Sequence, residues 1–184
     1  MANRIGPALC AFALASAATV WAQAPAGPPK PGPEHKQLEY FVGKWTFEGD
    51  MKASPLGPAG KVTGSEACEA FTGGFHVVCR SESKGPMGPM KGIGLLGYNA
   101  EEKMFTYFGI DSFGTGDVAK GTMQGADTWV YTSDSKMGGK PMKSRYTIRK
   151  AGTDAYTFTW ELSVDGAPFT VVMEGRDARV KTST

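Results

Sequence analysis

Apolar and polar residues change their period along this chain. Residues 5–20 are almost wholly apolar. After Pro33, which suits the first position of a helix, Leu38, Phe41 and Val42 fall on one face at helical spacing, and Gly43 stands where that helix would end. Beyond Gly43 the period becomes two. In "KWTFEGDM" Trp45, Phe47, Gly49 and Met51 alternate with Lys44, Thr46, Glu48 and Asp50, the pattern of a strand with one wet face. "SRYTIRK" and "YTFTWELSV" alternate in the same way, setting Tyr146 and Ile148, then Tyr156, Phe158, Trp160 and Leu162, against polar neighbours.

Runs between turn signals predict about ten strands. Their expected limits are 44–53, 61–71, 75–83, 92–98, 104–111, 117–124, 128–136, 143–150, 155–164 and 168–178. Connections this short favour an up-and-down antiparallel meander, and closing it into a barrel removes exposed strand edges. The expected fold is therefore all-β, an up-and-down β-barrel with a short N-terminal capping helix. Alternate connections of a meander lie at opposite ends. The compact "FTGGF", "NAEEK", "GAD" and "AGTD" share the helix end, while "SPLGPAG", "KGPMGPM", "SFGTG", "KMGGKPM" and "DGA" form an end that reads as looser and richer in glycine.

The apolar start, preceded by Arg4 and followed by small residues, has the form of a secretory signal peptide, with cleavage expected after Ala22. Residues 1–22 are then a leader and 23–33 a linker carrying five of the chain's twelve prolines. Residues 34–180 form the barrel domain and 181–184 a tail. No later run is long enough to span a bilayer, so the mature protein is expected to be periplasmic or secreted. The chain has 20 Lys+Arg against 18 Asp+Glu, a balance that does not suggest nucleic acid as a partner.

Export changes the reading of the cysteines. Cys10 belongs to the leader, which leaves Cys68 and Cys79 in an oxidising compartment where pairing is the default. In "CEAFTGGFHVVC" a two-residue Gly73–Gly74 turn places them directly opposite each other, at a hydrogen-bonded pair. Their spacing lacks the form of a zinc or thioredoxin motif, so a structural disulfide is expected and no metal site.

The short helix followed by Gly43–Lys44–Trp45 resembles the start of the lipocalin-like barrels. With "PGPEHKQLEYFVGKW", "GGF", "GIGLLGYNAEEKMF" and "DSFGTG", the chain from Pro33 to about Val180 resembles a family of exported bacterial lipocalin-like proteins known only as a domain of unknown function. The resemblance implies a small antiparallel barrel and no established activity. It also implies that Trp45 packs at the closed end under an arginine from a late strand; Arg176 is the natural candidate, with Arg149 and Arg179 as alternatives. Asp111 and Ser112 of "DSFGTG" become a polar contact for a ligand head group, or a turn folded by Asp111 itself.

No constellation of acid, base and nucleophile is visible, so no enzyme is expected. His35 reads as solvated, and His76 could face the lumen beside Phe71. Haem-holding relatives of this barrel use a late histidine, which this chain lacks after His76; no cofactor is expected. Met87 and Met90 in one loop, and Met137 and Met142 in another, stand among Lys84, Lys91, Lys136, Lys140 and Lys143. Adaptable thioethers suit a lip over an apolar pocket, with lysines for an acidic head group. A weak Cu(I) site is the runner-up use of the same methionines. The leading expectation is an exported barrel that binds one small apolar or amphipathic ligand. Its interior would be Phe47, Tyr107, Trp129, Tyr131, Phe158 and Trp160. The alternative is a side-chain-filled barrel acting as an interaction protein of the cell envelope.

Overall fold

A computed structural model describes residues 28–181. The expected leader, the first part of the linker and residues 182–184 lie outside the described residues. Among those described, no helix is long and apolar enough to cross a membrane.

Period two governs nearly all of the domain. A short helix α1 (Pro33–Leu38) runs into a 3-10 turn (Glu39–Phe41), and ten strands follow: β1 (Gly43–Met51), β2 (Gly60–Ala70), β3 (His76–Gly85), β4 (Gly88–Asn99), β5 (Met104–Asp111), β6 (Gly116–Gln124), β7 (Thr128–Met137), β8 (Lys140–Lys150), β9 (Ala155–Val164) and β10 (Thr170–Arg179). Each strand pairs antiparallel with its sequence neighbours, and β10 returns to β1, so the sheet closes as an up-and-down barrel.

The supposedly loose end is tighter than the sequence suggests. Strands β3 and β4 continue through the Gly-Pro-Met repeat to pair Gly85 with Gly88, leaving only Pro86 and Met87 at the tip. Likewise Met137 pairs with Lys140 around Gly138 and Gly139, whose φ of 57° and 81° fit a mirror-image two-residue turn. Proline in "GPMGPM" reads as loop, yet Pro89 occupies a strand position opposite Lys84.

The opposite shift occurs at the cysteine hairpin. The expected Gly-Gly turn is replaced by a longer connection, residues 72–75, closed by Phe71 N–H donating to His76 O at 2.9 Å. This reverses the parity of the ladder. Cys68 and Cys79 still face each other, but at a non-hydrogen-bonded pair, where side chains stand closer. They form the disulfide, with Cα atoms 4.0 Å apart.

Outside, the wall carries cross-strand ion pairs such as Lys61–Asp50, Arg80–Glu69, Lys91–Glu82 and Lys143–Asp134. One area differs: Ile93 faces Ile110, and Phe108 faces Val118, all four exposed on the outer face of β4, β5 and β6.

The core sits at the helix end. Leu38, Phe41, Trp45, Phe105 and Trp129 pack there with the disulfide. Trp45 Nε1 donates to Phe41 O at 2.7 Å. Over its ring, at 4.1 Å, lies the guanidinium of Arg179, which also donates to Val42 O at 2.6 Å and Tyr40 O at 2.8 Å. Arg176 is therefore not the arginine of this motif. Trp45 pairs with Arg179, so the inward face of β10 carries residues 175, 177 and 179, and Arg176 points outward beside Glu48. Gly43 has φ of 133°, and a Cβ there would collide with the Arg179 guanidinium, so glycine is required twice over.

Both histidines depart from expectation. His35 is buried against Phe75 and Tyr98, with ring centroids at 5.1 and 5.6 Å, and its Nδ1 accepts from Gly32 N–H. His76 lies on the outer face, packed over Gly97, because Val77 and Cys79 take the inward positions.

Candidate ligand-binding interior

Alternation along each strand decides what enters the barrel. On β1 the inward series Trp45, Phe47, Gly49, Met51 is apolar, but on β2 it is Val62, Gly64, Glu66, Cys68. Glu66 therefore points inside. Its carboxylate and the two disulfide sulfurs lie within 4.8 Å of one another. Because both sulfurs are consumed in the disulfide, this trio offers no thiolate to a metal. On β10 the inward series is Met173, Gly175, Asp177, Arg179, and Asp177 is only 4 % exposed.

Aromatic rings lie along the wall rather than across it. Phe47 stands opposite Gly64, Tyr131 opposite Gly121 and Phe158 opposite Gly175, and in each pair a Cβ on the glycine would strike the ring. A glycine opposite an aromatic lets the ring fold flat onto the backbone. Tyr146 stacks on Phe158 at 5.7 Å, and Tyr107 meets Tyr131 edge-on at 6.5 Å. Trp160 Nε1 donates to Ser144 Oγ at 2.7 Å. Glu66, Tyr107, Tyr146 and Trp160 take inward positions and are half-buried rather than fully buried.

The electrostatics of this interior are those of buried acids. Burial pushes the Glu66 carboxyl up to about 7. Burial, then the neighbouring Glu66 charge, push Asp177 up to about 7 against the opposing contact of the Tyr156 hydroxyl. Tyr107 is pushed up to about 12 by burial and by the charges of Glu66, Asp117 and Asp111, and Tyr146 and Tyr156 are raised for the same kinds of reason. Among the described residues, neither Glu66 nor Asp177 has a cationic side chain within ion-pair distance. The Tyr131 hydroxyl, in a residue 4 % exposed, has no hydrogen-bond partner among the described residues.

The residues expected to form a ligand site are divided by the structure. Phe47, Tyr107, Tyr131, Phe158 and Trp160 are on inward faces, whereas Trp129 is wholly buried in the closed-end core beside Phe41. Asp111 folds its own turn: its Oδ1 accepts from Phe113 N–H at 2.8 Å and Thr115 N–H at 3.1 Å. Ser112 ties that turn to β4, its Oγ accepting from Lys91 N–H at 3.0 Å. Met90 lies opposite Ser83 on the inward face at the end away from α1, while Met87, 46 % exposed, packs over Gly57 near Met51. Met137 and Met142 belong to a different tip, separated from the first by β5 and β6.

Two hollows, about 370 and 400 Å³, follow β1 and its neighbours, each lined from both faces of the wall. The first combines outward Lys44, Ser65, Arg80 and Glu82 with inward Trp45 and Glu66, and the second outward Thr46, Glu48, Thr63 and Arg176 with inward Phe47 and Gly64.

A family model described as "Protein of unknown function (DUF1579)" matches residues 30–179. No curated protein matches the sequence. Among solved structures, the fold is similar to an S-type phycobiliprotein lyase, CPES, from Guillardia theta: TM-score 0.58 at 12% identity, over 82% of this chain and 94% of that one. It is also similar to Rv2717c from M. tuberculosis: TM-score 0.57 at 13% identity, over 82% and 99%. At these identities the likeness is one of fold.

Proposed function

We propose that this chain, which belongs to the DUF1579 family, is an exported barrel that binds one small amphipathic ligand in its interior. The observation that carries this reading is the set of inward side chains that are half-buried rather than fully buried in a closed barrel: Glu66, Tyr107, Tyr146 and Trp160. A barrel of this size either is filled by side chains or holds one small molecule. Rings laid flat over glycines favour the second, because they move aromatic volume from the axis to the wall.

Export is supported by the disulfide, which belongs to oxidising compartments, and by the leader-like start of the sequence. A ligand would enter at the end away from α1, past Met90 and Met142. The lysines there do not favour an acidic head group, since Lys91, Lys140 and Lys143 are each paired with a carboxylate.

Native mass spectrometry of protein recovered after export, together with uptake of the neutral fluorophore N-phenyl-1-naphthylamine, tests the reading. One small-molecule adduct per barrel, or saturable uptake that Trp160→Ala weakens severalfold, is the expected result. A protein with no adduct and no uptake has a filled interior. The exposed patch of Ile93, Phe108, Ile110 and Val118 would then make an interaction protein the better account.

A further inference from the structure

We propose that the ligand is an organic cation, a protonated amine on an aromatic or alkyl body, whose charge lies between Glu66 and Asp177. This rests on the reading of the barrel as a lumenal binder and names the class of molecule it takes.

Two carboxylates inside one barrel are expensive. An ionised carboxylate removed from water costs several kcal/mol unless a counter-charge and hydrogen bonds replace the solvent. Cations stand on inward positions of this fold, but they are engaged at the closed end: Lys150 of β8 lies 4.9 Å over the Tyr40 ring and 4.8 Å over the Trp129 ring. Arg179, which shares the inward face of β10 with Asp177, is engaged by the carbonyls of Tyr40 and Val42 and by the Trp45 ring. Outer cations such as Lys61, Arg80, Lys91 and Lys143 pair with outer acids. Among the described residues, Glu66 and Asp177 therefore have no cation within ion-pair distance, and the third inward acid, Asp117, accepts from Ser133 Oγ at 3.3 Å.

The remaining surroundings suit an organic cation better than a bare ion. Tyr107, Tyr146 and Trp160 are half-buried rings on inward positions, and aromatic faces attract a cation that has shed water. The Tyr131 hydroxyl, on an inward position cross-strand from Tyr146 and beside Tyr107, is buried without a partner among the described residues and can accept a hydrogen bond from an ammonium N–H. A metal ion would require several close oxygen ligands, whereas this wall offers mostly rings. An anion would be repelled by both carboxylates.

Protons compete with the ligand for the same two groups. The titratable groups facing them are Tyr107 of β5, Asp117 of β6, Tyr131 of β7, Tyr146 of β8, Tyr156 of β9 and Arg179 of β10, with Lys150 of β8, His35 of α1 and Tyr98 of β4 further off at the closed end. Burial raises both carboxyls to about 7, so they are largely neutral at pH 5.5 and largely ionised at pH 8. Cation binding should strengthen as pH rises across this window, with proton release on binding below its upper end.

Isothermal titration of the whole exported protein, in 150 mM sodium chloride, with phenethylammonium and its neutral counterpart 2-phenylethanol tests the proposal. At pH 8 the cation is expected to bind at least tenfold more tightly than the alcohol, and about tenfold or more better than it does at pH 5.5. Glu66→Gln and Asp177→Asn should each reduce the preference, and the double substitution should abolish it while N-phenyl-1-naphthylamine still binds. An alcohol that binds as well as the cation, a cation affinity independent of pH, or a preference that survives both substitutions overturns the proposal. Uptake of the neutral fluorophore with no binding of phenethylammonium overturns it as well, and leaves the lumenal reading standing. Should no probe of any charge bind, both readings fall.

Discussion

At the residue scale, Gly43, Trp45 and Arg179 act as one unit although the arginine lies at the other end of the domain. Glycine lets the guanidinium approach, tryptophan offers its face, and the guanidinium spans two carbonyls left free where the 3-10 turn ends. Arg179→Ala removes both charge-assisted hydrogen bonds and the ring contact, and should destabilise by about 2–4 kcal/mol. Arg176→Ala, on the solvated face, should change stability by no more than about 0.5 kcal/mol. Parallel urea denaturation of the two variants measures the difference. The resemblance fixed the partnership of Trp45 with a late arginine but not which one, because that depends on strand register, and a one-residue slip exchanges the faces. Glu66 shows the same limit: its inward position follows from sharing a face with Cys68, a signal present in "GSEAC" but masked by the expectation that charge marks the wet side.

At the element scale, the β2–β3 hairpin shows what a turn residue can and cannot decide. Glycines 73 and 74 both have positive φ, so the turn lies where they predict it. Its length is set by Phe71 and His76, whose hydrogen bond shifts the ladder by one parity. Cysteine pairing survived the change because both readings keep the two residues opposite. In the chain-entropy model a loop this short contributes about 3 kcal/mol. The Cys68→Ala, Cys79→Ala double variant should therefore lose about that much unfolding free energy in a denaturant titration while keeping its far-UV spectrum. The hairpin tips at Pro86–Met87 and Gly138–Gly139 were less legible, since Gly-Pro and Lys-Met-Gly-Gly clusters have the composition of open loops whether or not the strands continue through them.

At the scale of the whole molecule, the barrel was legible from period two and from turn spacing, whereas its charged interior was not. That interior makes a prediction about acid. Glu66 and Asp177 are raised above their ordinary values, so the folded protein holds protons that the unfolded chain has already lost between about pH 4 and 7, and stability falls as pH rises through that window. Shifts of this size are worth up to about 3–4 kcal/mol per group. Ligand-free protein should melt at a higher temperature at pH 5 than at pH 8, and Asp177→Asn should flatten the dependence. Glu161, held low first by its hydrogen bond to Arg145, works in the opposite sense only at more acidic pH. The meander carries a further consequence, for how the chain reaches this state. Nine of its strand pairings join sequence neighbours, and the tenth, β1 with β10, joins residues 45–51 to 173–179. Hairpins can therefore zip in turn as a ribbon, with the entropy of one large loop deferred to a single closing event. Arg179 belongs to that last event, so its loss should speed unfolding far more than it slows the early growth of the sheet.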